Sequence, residues 1–439
     1  MTAPSENVRE RIRAVEGTGM RTFWQPEPLV WARTEGCHVW DADGTRYLDL
    51  YAGFAVANVG YCHPRVTEAI RAQAGVMTHC PSAAPSAVRA ELYERLLAIS
   101  PPSLDRVLLA VTGAMANETA VQLARAATGR RNVVTFSGTY PGRTVGAVPY
   151  AGKHAYREPL GVAADAHFLP YPDQYRSAWA GDGDPAETVL RLLEDALVDP
   201  ASGVEPPACI LVEPIQGNGG VVIPQAGFLP GLRRLCDRTG TLLVLDEIQC
   251  GFGRSGRMWA SEHDDVAPDL MTVGKGIGGG LALAAVLGRS ELMTTWEPDT
   301  VTSTFLANAL NAAAGCAAID VLREEGLVER SVRLGAHALA RLEHELAGST
   351  AVGDVRGRGL FVGLELVKEN EPDPELAGQT QRALRERGVL VGRGGRYGNV
   401  LILAPPLVIE EDVLDGGLDA IAEVLQRAGD GLEAVRAIP

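Results

Sequence analysis

Between about Arg65 and Asp320 the chain alternates short apolar runs with longer stretches of helical period. The runs are Asn132–Phe136, Ile210–Glu213, Leu242–Asp246 and Leu270–Val273. Strands covered on both faces read this way, and their alternation with helices predicts a mainly parallel sheet between helical layers. Before this region the pattern predicts a helix, an irregular arm (Phe23 to Pro28) and a hairpin-like unit at Val39–Gly44, with Asp43-Gly44 as its turn. After it come an amphipathic helix (Val328–Leu346), strand-like runs at Gly359–Leu366 and Val400–Leu403, and a final helix from Glu411. The expected fold is therefore α/β in three pieces. Residues 1–50 form an N-terminal arm and a segment packing with the small domain, residues 51–320 the large sheet-bearing domain, and residues 321–439 a smaller C-terminal α+β domain.

Composition narrows the function. With 40 basic and 55 acidic residues the formal charge is −15, the wrong sign for a surface that tracks phosphates, so nucleic acid is not an expected partner. The first seventeen residues lack an apolar signal core, and no run is long and apolar enough to span a bilayer, so no membrane partner is expected. Seven cysteines, odd in number and widely spaced, fit a reduced protein, and the cytoplasm is the expected compartment. Fifty glycines, many in short clusters between apolar runs, indicate turns and close backbone approaches. Only Lys153, Lys275 and Lys368 are lysines; every other basic residue is arginine. A lysine kept between glycines, Gly274-Lys275-Gly276, hints that an amine is needed there.

The polar residues of interest sit where apolar runs end, which is where open α/β sheets bind ligands. Asp246 and Glu247 directly follow Leu242–Leu245, and Lys275 follows Leu270–Val273. A carboxylate in that setting must be paired or functional. A metal site is one reading, but no histidine cluster accompanies it, and a structural ion pair with Lys275 is another. The run Leu108–Val111 passes through a small-residue turn, Thr112–Ala116, into a helix over Glu118–Ala127, whose first N–H groups would favour a phosphate. Gly138–Thr144 brings Tyr140 and Arg143 to the same edge. A pyridine aldehyde phosphate needs a lysine for a Schiff base, a carboxylate at its ring nitrogen, a phosphate cradle and an aromatic face. All four are present.

At this point the chain resembles the class III (ω-type, ornithine- and aminobutyrate-like) aminotransferases of fold type I, nearly end to end. The resemblance rests on Gly60-Tyr-Cys-His63-Pro64, Glu213-Pro-Ile-Gln-Gly217, Leu245–Gly256, Pro268-Asp269 and Gly274-Lys275-Gly276. It implies a seven-stranded-type sheet in a large cofactor-binding domain and pyridoxal 5'-phosphate as cofactor. Residue by residue, it implies that Lys275 holds the cofactor as a Schiff base and that Asp246 pairs with the ring nitrogen. Gln249 would bond the ring oxygen, Ile248 and Tyr140 would sandwich the ring, and Gly113 and Ala114 would bind the phosphate. Thr304 would reach the phosphate of the partner subunit, which makes a homodimer with shared active sites. Trp24, Phe54 and Arg143 match substrate positions. The implied reaction moves an amino group between a primary amine or amino acid and a keto compound.

Departures bear on the substrate. The family commonly carries an arginine before Ala404-Pro-Pro-Leu407, where this chain has Ile402, and a glutamate after Pro-Ile-Gln-Gly, where it has Asn218. The two replacements agree, because a buried glutamate without its arginine would be an unpaired charge. Met115 and Ala282 also depart from the family pattern, as does Leu306-Ala307-Asn308-Ala309. Loss of the Arg–Glu switch leaves open a one-substrate reaction on the same cofactor: epimerisation, decarboxylation or elimination.

Overall fold

The computed structural model describes residues 4–24, 27–177, 181 and 183–428. A helix, Pro4–Val15, leads to a 3-10 turn at Arg21–Trp24. Gln25 and Pro26 of the expected arm lie outside the described residues. Strands β1 (Trp31–Glu35), β2 (His38–Asp41) and β3 (Arg46–Asp49) then form an antiparallel meander. The turn between β2 and β3 is held by Asp41, whose Oδ1 accepts from Asp43 N at 3.0 Å and Thr45 N at 2.8 Å, while Gly44 takes a left-handed φ of 89°. This is the hairpin the Asp-Gly pair predicts. The pattern missed β1 because its residues are mostly exposed and show no apolar alternation.

Seven strands follow: β4 (Arg106–Ala110), β5 (Val133–Phe136), β6 (His167–Leu169), β7 (Cys209–Val212), β8 (Leu242–Asp246), β9 (Leu270–Val273) and β10 (Ala284–Gly288). They form one sheet in the order β4-β10-β9-β8-β7-β5-β6. All are parallel except β10, which runs against both of its neighbours. Four of these strands fall on the four apolar runs. β10 escaped notice because an Ala-rich pentapeptide carries little hydrophobic contrast.

The apolar runs are double-faced for a reason visible in the packing. Val133, Leu211 and Val244 join the helix Gly113–Thr128 through Ala116, Ala120 and Leu123. Their neighbours Val134, Ile210 and Leu243 face Val189 and Leu193 of one helix and Phe228 and Leu232 of another. Burying an aliphatic side chain contributes about 1.5–3 kcal/mol, so both faces must be apolar to hold this three-layer stack.

Beyond residue 320 the strands are β11 (Val352–Gly357), β12 (Val362–Lys368), β13 (Glu371–Pro372), β14 (Val389–Leu390), β15 (Gly392–Gly394) and β16 (Val400–Leu403), with helices Leu327–Glu345, Pro374–Glu386 and Glu411–Ala428. β11, β12, β16 and β15 make an antiparallel sheet. β14 pairs in parallel with β3, Val389 opposite Leu48, and so joins the N-terminal meander to the C-terminal part of the chain. No helix among the described residues is long and apolar enough to cross a membrane.

Candidate active site

The parallel strands end along one edge of the large sheet, and their chain reversals supply the polar groups. Asp246, the last residue of β8, is 5% exposed and opposite Thr272 of β9. Its Oδ1 accepts from Ile248 N at 3.0 Å, and its Oδ2 accepts from Asn117 Nδ2 at 2.7 Å. Asn117 sits on the inner face of the helix Gly113–Thr128, fully buried. Thr272 Oγ1 donates to Asn117 Oδ1 at 2.7 Å, which fixes the amide so that Nδ2 donates both to Asp246 and to Pro141 O at 3.0 Å. Burial, and then the charge of Glu213, raise the Asp246 carboxyl to about 7. A carboxylate so placed gains from a cation brought against it.

Lys275 begins a 3-10 turn after β9, with φ at +47°. For a residue other than glycine this left-handed conformation costs about 1–3 kcal/mol and has to be held by its surroundings. Burial lowers the amine to about 8, against the opposing pull of Asp246 and Glu213. Glu213, one residue past β7 and 5% exposed, is therefore a second carboxylate in the same crevice. It was legible only as part of the Glu-Pro-Ile-Gln-Gly stretch.

The other end of the crevice is the start of the helix Gly113–Thr128. Thr112 caps it, its Oγ1 accepting from Met115 N at 3.2 Å, and Ala116 N reaches Thr112 O at 3.0 Å. The N–H groups of Gly113 and Ala114 have no acceptor among the described residues. The sequence predicts a turn over Thr112–Ala116; the Thr112 cap makes it the first helical turn instead. Close packing explains the small residues here. A Cβ on Gly113 would lie 2.7 Å from Ile248 Cδ1, and one on Gly142 would lie 2.3 Å from Ala114 Cβ. A Cβ on Gly217 would lie 2.2 Å from Gln249 Oε1. The hydroxyl of Tyr51 is pushed up to about 12 by burial.

The structure thus brings together Lys275, Asp246, Ile248, Gln249, Gly113, Ala114 and Tyr140, the last tied to Glu213 through its backbone N–H at 3.0 Å. Arg143 is exposed, its guanidinium 4.3 Å from the Tyr156 ring centre and 6.0 Å from that of Tyr140. Phe54 is 45% exposed, edge-on to Tyr51 at 5.2 Å, with Arg21 4.7 Å above its ring. Thr304 is exposed beside Phe305, which meets His79, and among the described residues no hydrogen bond links it to the crevice of its own chain. The side chain of Trp24 lies outside the described residues. Asn117, Thr272, Tyr51 and Tyr156 were not singled out from sequence. A polar Asn on the alanine face of a helix was the available signal for the first.

The two replaced positions both flank Gly394. A Cβ on Gly394 would touch Ile402 Cδ1 at 2.7 Å and Asn218 O at 3.0 Å. Ile402 is fully buried among Ala55, Ile215, Val221 and Phe361, and Asn218 Nδ2 donates to Tyr156 OH at 3.0 Å. Both residues are neutral, and each is satisfied without the other.

An amine of lowered pKa, a buried carboxylate with a carboxylate neighbour, and free N–H groups at a helix start fit a phosphorylated pyridine aldehyde. They define a pyridoxal-phosphate enzyme of fold type I. The family model for class III aminotransferases matches residues 23–425, and the chain belongs to that family. It is 38% identical to an acetylornithine aminotransferase of Methanothermobacter thermautotrophicus, over 95% of this chain and 98% of that protein. It is 34% identical to an alanine/serine racemase of Pyrococcus horikoshii, over 95% and 89%. A PLP-bound amine transaminase from an uncultivated Pseudomonas species superposes with a TM-score of 0.85 at 30% identity, covering 93% of this chain and 98% of the other. The chain is a PLP-dependent aminotransferase acting on an amino donor and a keto acceptor.

Proposed function

We propose that Lys275 Nζ is the covalent attachment point of pyridoxal phosphate, and that Asp246 holds the proton on its ring nitrogen. When bound, the cofactor supplies an electron sink for the carbanion formed at the substrate carbon. The observation that carries this reading is the mutual electrostatics of Lys275, Asp246 and Glu213 at adjacent strand ends, with Asn117 fixing the carboxylate. Gly113 N and Ala114 N bind the phosphate, Ile248 and Tyr140 cover the two ring faces, and Gln249 Nε2 donates to the ring oxygen. Lys275 Nζ then moves the proton at the substrate carbon, its lowered pKa leaving part of the amine free as a base near neutral pH.

Trp24, Phe54 and Arg143 contribute to the substrate site, Arg143 supplying carboxylate recognition. Thr304 completes the phosphate site of a partner subunit, so the active unit is a homodimer; its exposure supports this. The N-terminal segment to residue 50 belongs with the small domain (321–439) around the large one (51–320), which the β3–β14 pairing supports. Seven free cysteines, all but Cys62 buried, fit a cytoplasmic protein.

The test is spectroscopic. Adding an amino donor should bleach the visible band of the lysine-bound cofactor, and a keto acceptor should restore it. Lys275→Ala should lose both the band and borohydride trapping. If no donor yields the amine form, amino transfer is not this chain's reaction. A second reading, racemisation of one amino acid, is favoured by the neutral residues Asn218 and Ile402 and by the racemase relative. Turnover of a single amino acid with no keto acceptor would establish it.

A further inference from the structure

Glu213 is a buried carboxylate of the crevice to which the reaction assigns no task. Both of its oxygens are engaged by donors. Oε1 accepts from Thr139 Oγ1 at 2.8 Å and from Tyr140 N at 3.0 Å, and Oε2 accepts from Gly217 N at 2.9 Å. Backbone N–H groups can only donate, so a proton on either oxygen would face a donor; the arrangement suits the ionised form. Burial pushes this carboxyl above the usual carboxylate range, and the bonds from Gly217, Tyr140 and Thr139 pull it back.

These donors belong to two separate segments. Thr139 and Tyr140 lie on the loop after β5, and Gly217 lies in the turn whose backbone abuts the Gln249 amide. The segment around Glu213 is itself anchored. Tyr171 OH donates to Glu213 O at 2.9 Å, and Gln216 Nε2 donates to Ser137 O at 2.9 Å. The Glu213 side chain, with Gln216 beside it, therefore fixes the loop that carries Tyr140 relative to the turn that backs Gln249.

We propose that Glu213 is a positioning residue: its carboxylate clamps the Tyr140 loop to the Gly217 turn, setting the spacing between the ring-covering phenol and the ring-binding amide. This rests on the assignment of Tyr140 and Gln249 to the cofactor. Glutamine in its place keeps one acceptor but turns an NH2 group toward N–H donors, so the clamp opens on one side.

The test uses the holoenzyme and reads the lysine-bound cofactor without substrate. Glu213→Gln should keep borohydride trapping at Lys275, weaken cofactor binding about ten-fold or more, and reduce the visible circular-dichroism band severalfold, since that band reports the asymmetric surroundings of the ring. Glu213→Asp, which keeps the charge on a shorter arm, should recover part of the band. Thr139→Val removes a single bond with little change of shape and should weaken binding about three-fold, which decides the matter if Glu213→Gln does not fold. Tyr140→Leu separates the two levels. If it loses the band while Glu213→Gln and Thr139→Val leave band and affinity unchanged, the clamp is overturned and the assignment of Tyr140 stands. If Tyr140→Leu itself changes nothing, the assignment on which the clamp rests is overturned.

Discussion

A lysine amine in water titrates near 10.4, far too high to act as a nucleophile or base at neutral pH. In this fold, removing Lys275 from water costs its charged form more than Asp246 and Glu213 return, and the amine settles at about 8. The consequence can be measured on the apoenzyme. Only the neutral amine attacks an aldehyde, so the rate of cofactor uptake should climb about ten-fold per pH unit up to about pH 8 and flatten above it. A rate still climbing past about pH 10, followed by the growth of the visible band, would mean that the environment does not tune this residue. At this scale the sequence was partly legible. A lysine between glycines and an acid after an apolar run announce themselves in one dimension. Asn117 and Thr272 do not, because their task is to orient Asp246 across 129 and 26 positions of chain; strand register brings Thr272 opposite Asp246, and packing of the helix on the sheet brings Asn117.

At the scale of elements, the site is made by loops that could not close if their residues were larger. The loop carrying Tyr140 and Arg143 crosses the start of the helix Gly113–Thr128 so closely that Gly142, with φ at +130°, has no room for a side chain beside Ala114. Gly142→Ala should therefore force the loop away from the helix start, because the atoms it meets are the Cβ and Cα of Ala114 and cannot rotate aside. The expected outcome is a loss of cofactor affinity of roughly ten-fold or more with thermal stability of the apoenzyme lowered by about 1–3 kcal/mol, as for overpacking generally. Titration of apoenzyme with cofactor checks it, and wild-type affinity would show that the loop does not depend on this contact. The strands that set these loops were read correctly where both faces are apolar, as in β5, β7, β8 and β9. They were missed where hydrophobic contrast is low, in the alanine-rich β10 and the exposed β1.

At the scale of the whole molecule, distant stretches of chain are joined beside the crevice by a charge with no salt-bridge partner among the described residues. Arg254 is fully buried, and burial lowers its guanidinium to about 9. It donates to Leu360 O at 2.9 Å, to Pro405 O at 2.6 Å and to Asn58 Oδ1 at 2.7 Å, while Ser331 Oγ donates to its own carbonyl at 3.1 Å. Three distant stretches of chain thus meet on one side chain, and Asn58 in turn lies where a Cβ on Gly276, next to Lys275, would be 2.8 Å away. Two effects oppose each other in Arg254→Met. Removing a buried charge relieves desolvation, but Leu360 O, Pro405 O and Asn58 Oδ1 lose their donor, each at a cost of about 1–3 kcal/mol. Because all three acceptors stay buried, the loss should win, and the holoenzyme should melt several degrees lower at fixed cofactor concentration. Arg254→Lys should rescue little, since an ammonium cannot span acceptors arranged for a planar fork. A melting temperature unchanged in Arg254→Met would mean that the junction is held by its apolar contacts alone.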